Sequence, residues 1–285
     1  MIPHTIHAPA DDHIPTVTRV VAALIVPFLV AAFAILYLLP DETGRLFAWN
    51  IKPRMTALLM GAGYIAGAYF FVRTIFARRW HYVAVGFVPV TSFASLLMIA
   101  TLLHWDRFNH GHISFITWVA LYATTPCIVF ALWLHNRRYD PGVPDRDDAI
   151  IPGGVRIMMA GIGALILIAG AVLFIWPALL IPFWPWDVTT VTARTLGAWF
   201  VLPGVFGVMI ARDRRWSAAR LALQSQFIGI ALILIGALRA WDEFDRTNPL
   251  AWIFIGGMTA LAVGIAMLFV QMERRRAKLT SQNER

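Results

Sequence analysis

Runs of about twenty apolar residues alternate along the chain with short, arginine-bearing polar stretches. The runs are Val20–Leu39, Met55–Ile75, Tyr82–Leu103, Ile113–Leu134, Ile157–Pro177, Thr189–Ala211, Ala218–Leu238 and Leu250–Gln271. A helix rises about 1.5 Å per residue, so each run is long enough to cross about 30 Å of hydrocarbon. The apolarity is continuous, whereas a barrel strand would alternate in polarity and stop near ten residues. The pattern therefore predicts an all-α integral membrane protein with eight transmembrane helices. Pro27, Pro89, Pro126 and Pro203 fall inside the runs; neighbouring helices and hydroxyl groups can satisfy the carbonyls they free.

The pattern repeats itself. Arg19 and Pro40 correspond to Arg156 and Pro177 at a spacing of 137 residues, and Trp49-Asn50 corresponds to Trp186-Asp187. After the loss of one loop residue the spacing becomes 136. Gly61-Ala62 then matches Gly197-Ala198, Arg78-Arg79-Trp80 matches Arg214-Arg215-Trp216, and Trp105-Asp106-Arg107-Phe108-Asn109 matches Trp241-Asp242-Glu243-Phe244-Asp245. One offset carried through four helices predicts two tandem four-helix repeats. Each contains an even number of helices, so the repeats are parallel, related by a pseudo-two-fold axis along the membrane normal. The expected organisation is a cytoplasmic tail (1–16), a first repeat (17–135), a hydrophilic linker rich in Pro, Gly and Asp (136–154), a second repeat (155–272) and a basic cytoplasmic tail (273–285). The pairs Gly63/Gly67, Ala160/Ala164 and Ala260/Gly264 have the spacing that lets helix backbones approach closely.

Composition agrees with the pattern. Hydrophobic residues make up 59% of the 285 positions and charged residues 14%, against about 45–50% and about 25% in soluble domains. The net charge is +8, yet the basic residues lie in separate inter-helix clusters rather than in a stripe, which excludes a nucleic-acid-binding surface. With the N-terminus cytoplasmic, 17 of the 24 Lys and Arg residues fall inside and 7 outside, so both termini are expected in the cytoplasm. The bilayer is then the first partner, with anionic lipids against the basic cytoplasmic segments and other membrane subunits or a second copy as further partners. Val20–Leu39 is too long for a signal-peptide core and reads as a retained helix. Cys127 is the sole cysteine and lies in an apolar run, so neither a disulfide framework nor a thiolate metal site is expected. Trp49, Trp80, Trp105, Trp133, Trp176, Trp186, Trp216 and Trp241 fall at helix ends, the position of interfacial anchors, and Trp199 falls mid-helix.

Candidate chemistry is sparse. No Asp, Glu or Lys lies in the middle third of a predicted helix, which removes the intramembrane charge that proton pumps use. No phosphate loop, HExxH or G-x-S-x-G is present. The strongest candidate is the pair of W-D-x-F turns, Trp105, Asp106, Phe108 and Trp241, Asp242, Phe244. With Trp49 and Trp186 of the aromatic connectors, they read as an outer-face ligand site meeting across the pseudo-axis. As plain connectors, Asp106 and Asp242 would cap the following segment. Gln224, Ser225 and Gln226, placed opposite Thr91 and Ser92, read as inter-helix bridges or the lining of a polar cavity. His81 with His135, and His104 with His112, admit bis-histidine haem as a second reading; no other cofactor is expected.

Three function classes follow. The first is a non-catalytic membrane component (a complex subunit, scaffold or ligand-binding protein) with an aromatic and acidic outer-face site. The second is a transporter or channel for a neutral or apolar solute, with its path between the repeats. The third is a membrane enzyme using the outer-face carboxylates Asp106 and Asp242.

Overall fold

The computed structural model describes residues 11–283, and within them every long element is helical. Eight helices are long and apolar enough to cross a membrane, the build of a multi-pass membrane protein. They are α1 (Thr16–Leu38), α2 (Arg54–Phe76), α3 (His81–Leu103), α4 (Ile113–Asn136), α5 (Gly153–Ile175), α6 (Thr190–Ile210), α7 (Trp216–Arg239) and α8 (Pro249–Asn283). α1 widens to a π-turn over Ala34–Leu38 just before Pro40, which cannot continue the helix.

Two expectations about the ends change. Residues 1–10 and 284–285 of the expected tails lie outside the described residues. The rest of the C-terminal segment is not a separate tail, because α8 continues through it to Asn283. Met272 is fully buried there, and Glu273 accepts the Trp216 indole N–H at 2.6 Å and pairs with Arg220 at 2.9 Å. At the other end, Asp12 and Ile14 are buried rather than free.

Helices adjacent in sequence pair first: α1 with α2, α3 with α4, α5 with α6, and α7 with α8. The middle helices then cross between the halves of the chain. α2 packs principally on α7, α3 on α6, and α3 also on α7. This arrangement places α2, α3, α6 and α7 inside and the other four outside. The outer helices expose Leu24, Ile157, Leu165, Val263 and Met267, the apolar surface that lipid would cover. The contrast is large: 72% of the most apolar stretch of α2 is buried against none of that of α8.

The closest helix contact, α5 on α6, uses glycines the spacing rule did not single out. A Cβ on Gly163 would stand 2.8 Å from the Gly207 Cα, and one on Gly170 2.9 Å from the Gly197 carbonyl oxygen. Only glycine permits that approach. Ala160 and Ala164 lie a residue away from it, and Gly264 has nothing within 4 Å.

Contacts recur along the chain at the spacing read from the sequence. His13 bridges Arg79, and Ile150 bridges Arg215. The Trp80 N–H donates to the Asp12 carbonyl and the Trp216 N–H to the Ala149 carbonyl, both at 3.0 Å. Trp49 meets Phe108 at 5.0 Å between ring centroids, and Trp186 meets Phe244 at 5.1 Å. Two arginines that are not counterparts serve carbonyls that are: Arg194 Nε donates to the Phe174 carbonyl at 3.1 Å and an Arg239 guanidinium N–H to the Tyr37 carbonyl at 2.8 Å. These two carbonyls lie three residues before Pro177 and Pro40, where the helical bonds stop.

Candidate functional site

At the end of the bundle that carries Trp49, each W-D-x-F turn folds into a single 3₁₀ turn, Trp105–Arg107 and Trp241–Glu243. Each docks on the aromatic connector of its own half. The Asn109 N–H donates to the Ala48 carbonyl at 2.8 Å, and the Asp245 N–H to the Pro185 carbonyl at 2.9 Å. Phe108 is buried among Trp49, Phe115 and Trp118, and Phe244 among Trp186, Trp241 and Phe254. The sequence-predicted aromatics therefore form two clusters rather than one. Trp49 and Trp186 hold those clusters together, and Trp80 and Trp216 are fully buried at the other end of the bundle. These four tryptophans pack inside the protein instead of anchoring at an interface. Trp105 and Trp176 remain exposed.

The two aspartates part company. Asp106 is exposed and pairs only with its neighbour Arg107 at 3.3 Å. Asp242 reaches into the first half and holds Arg54 at 2.7 Å. Neither accepts a backbone N–H, so the expectation that they act as caps is not met. Glu243 takes that role. Its Oε1 accepts the Arg54 N–H at 2.9 Å and its Oε2 the Met55 N–H at 2.8 Å, so a carboxylate of the second half caps the N-terminus of α2. Bare N–H groups and the positive end of the helix dipole favour an anion there. Arg107 stands at the corresponding place in the first half, and Thr189 caps α6 instead.

Beside this contact lies a cleft of about 1230 Å³ between the two connectors. Lys52 and Arg54 line it from the first half, and Trp184, Trp186, Asp187 and Phe244 from the second. Trp186 and Phe244 are thus the predicted aromatics that reach it. The wall is mixed, with aromatic faces between charged groups of both signs.

At mid-depth the polar groups bridge helices. Gln224 Oε1 accepts from the Tyr69 hydroxyl at 3.1 Å, and the Ser225 hydroxyl donates to the Ala66 carbonyl at 2.7 Å. Both join α7 to α2, not to Thr91 and Ser92, which bond back to Phe87 and Val88 of their own helix. Gln226 is half-buried. The Tyr64 and Tyr122 hydroxyls meet at 2.8 Å in the buried core.

The histidines do not pair as haem ligands would. His104 Nε2 lies 2.7 Å from an Arg194 nitrogen, His135 Nε2 lies 2.8 Å from an Arg138 nitrogen, and His112 Nδ1 accepts the Ser114 N–H. No group of three or more potential metal ligands occurs among the described residues.

His81 belongs to a different arrangement at the opposite end of the bundle. Asp12 accepts the His81 backbone N–H at 3.2 Å and faces Nδ1 at 2.5 Å. Asp148 accepts the Ser217 backbone N–H at 3.0 Å and faces the Ser217 hydroxyl at 2.5 Å. The two sets touch through His81 Nε2 and Ser217 Oγ, 3.0 Å apart. The order Asp12, His81, Ser217 is that of a hydrolytic triad. Asp148, however, holds the Ser217 hydroxyl and occupies its N–H, leaving a carboxylate where an acyl oxyanion would need donors. His81 is completely buried.

Around this set, Arg215 makes two bonds to Asp140, at 2.6 and 2.8 Å, and further bonds to Asp213. Burial of the Asp140 carboxyl opposes ionisation. The bonds from Arg215 and the Gly142 N–H, with the Arg215 charge, outweigh it and hold Asp140 below the usual carboxylate range.

Compared with family models, curated proteins and solved structures, the chain matches none.

Reading the sequence missed Asp12, Asp148, Arg54 and Glu243. A signal for the first two was present: Asp12 precedes His81 by 69 residues, and Asp148 precedes Ser217 by 69.

Proposed function

We propose that the chain is a non-catalytic membrane component that binds a ligand or partner at its outer face, in the cleft between the two aromatic connectors. Its frame is two tandem parallel repeats about a pseudo-two-fold axis along the membrane normal. Support for the axis comes from positions 136 residues apart that touch each other. His81 meets Ser217, and the Trp199 ring lies against Gly63. A position in contact with its own counterpart lies on a two-fold axis. The arginine-rich segments at the His81 end support a cytoplasmic assignment for that end, with both termini, and an outer assignment for the cleft.

The cleft carries the functional reading. It is open at the seam and lined by aromatic faces set between charged groups, as sites for amphiphilic ligands are. The mid-depth seam, by contrast, is filled by Trp199, Phe93, Leu97 and Leu196, which weighs against a solute path between the repeats. Asp106 and Asp242 contact different arginines, which weighs against a joint carboxylate mechanism. A high-resolution density map of the protein in native-lipid nanodiscs tests the proposal. Non-protein density between Trp184, Phe244 and Lys52, lost in a Trp184→Ala variant, is the expected result. A cleft holding only water would overturn it.

A further inference from the structure

We propose that Asp12, His81, Ser217 and Asp148 form a buried proton-binding site, and that its bound proton makes the hydrogen bond joining the two halves of the protein at that end. The proposal is independent of the outer-face cleft.

The reasoning is a count of hydrogens. Three contacts run in series: Asp12 to His81 Nδ1, His81 Nε2 to Ser217 Oγ, and Ser217 Oγ to Asp148, at 2.5, 3.0 and 2.5 Å. Each needs one hydrogen. A neutral imidazole supplies one and the serine hydroxyl one; the carboxylates supply none. Two hydrogens cannot fill three contacts. The set is closed when one more proton is bound, with Nδ1–H donating to Asp12, Nε2–H to Ser217 Oγ and the Ser217 hydroxyl to Asp148. Placing the third hydrogen on Asp148 closes it as well, with the serine then donating to His81.

Without that proton one contact fails. Both carboxylates are buried and keep their donors if Nδ1–H stays on Asp12 and the serine hydroxyl on Asp148. Each carboxylate keeps a backbone N–H on one oxygen, but stripping the donor from the other oxygen of a buried charge costs more than losing a bond between neutral groups. The lost contact is therefore His81 to Ser217, the one between α3 and α7.

The surroundings carry both signs. Tyr82 stacks edge-on against the His81 ring at 4.6 Å. Arg79, paired with Asp145, lies beside Asp12, and Asp140, held by Arg215, lies on the side of His81. Asp148 and Arg276 both act on Tyr82. Arg19 turns away to the Ile75 and Ala77 carbonyls.

The full chain, labelled with ¹⁵N-histidine and held in nanodiscs, tests the proposal at about pH 7.5, a unit above the ordinary imidazole midpoint. His81 is assigned by its loss in His81→Gln. The expected result is either a His81 ring protonated on both nitrogens or a protonated-carboxyl infrared band that Asp12→Asn or Asp148→Asn removes. Because the folded state binds the extra proton, the wild-type melting temperature should fall as the pH rises; in Asp148→Asn the amide donates to Ser217 Oγ and supplies the third hydrogen, so His81 becomes neutral and that fall disappears. If that variant does not fold, Ser217→Ala takes its place; it removes both serine contacts, and the one hydrogen of a neutral imidazole then fills the remaining contact to Asp12. A neutral His81 together with no such carboxyl band in the wild type would overturn the proposal.

Discussion

The Trp199 ring occupies the space that a side chain on Gly63 would need, and the two residues stand 136 positions apart. Two tryptophans there would collide and two glycines would leave a void. The seam at mid-depth is closed because the halves differ at this one place. Phe93 at 4.3 Å and Tyr64 at 5.0 Å complete the packing around the indole.

Gly63→Ala should therefore destabilise the protein by about 1–3 kcal/mol, as overpacked cores do. Trp199→Ala should cost about 3–5 kcal/mol through the cavity it leaves. Melting in detergent checks both. A Gly63→Ala variant with an unchanged midpoint would show that the ring is free to move aside.

Glu243 and the two aspartates should separate cleanly. Removing the Glu243 carboxylate by Glu243→Ala strips two backbone N–H groups at the start of α2 of their acceptor and should cost about 1–2 kcal/mol. Asp106→Asn and Asp242→Asn, both at exposed ion pairs, should each cost about 0–1 kcal/mol. Equal effects at all three positions would contradict the cap.

The arginines that serve the two broken helix ends make a third case. Arg239→Leu leaves the Tyr37 carbonyl, and Arg194→Leu the Phe174 carbonyl, without a side-chain donor. Each should lower stability by about 1–3 kcal/mol. Arg239→Lys, which can still donate, should recover part of the loss; if it recovers none, the bond is not the reason the arginine matters.

Asp140 sets a pH response. Its folded carboxyl lies below the ordinary value of 3.8, so the stability it contributes is present above the unfolded midpoint and is lost as the pH falls through the folded one. Melting temperature should drop below about pH 4, and Asp140→Asn should flatten part of that drop. Arg215, though burial disfavours its charge, is held protonated by Asp140 and Asp213, so it does not contribute to this response.

The fold was legible where physics leaves one solution. Twenty apolar residues in lipid close their own hydrogen bonds only as a helix, so the eight spans are legible to within a few residues, except at the end of α8, which runs on to Asn283. The recurring motifs point to the aromatics that matter but to one site shared across the halves, whereas Trp49 packs on Phe108 and Trp186 on Phe244 within each half. What the sequence could not show is which helices meet across the halves, since α2, α3, α6 and α7 are apolar on every side and carry no stripe that names a neighbour. For the same reason Asp12 looked like part of a polar tail. Its partner, His81, lies 69 residues further on, and nothing local marks either as buried. Glu243 carries no mark in the sequence, because its counterpart is Arg107 and the repetition says nothing at positions where the halves diverge.

The crossing of α2 onto α7 and of α3 onto α6 bears on how the chain is made. When the ribosome has released the first four helices, the faces of α2 and α3 that end up inside the protein have no partner yet. They must wait in lipid, or against an insertion factor, until α6 and α7 emerge. Neither half can complete its assembly alone. Cutting the connecting segment near Gly142 should leave two fragments that are degraded when made separately and stable when made together.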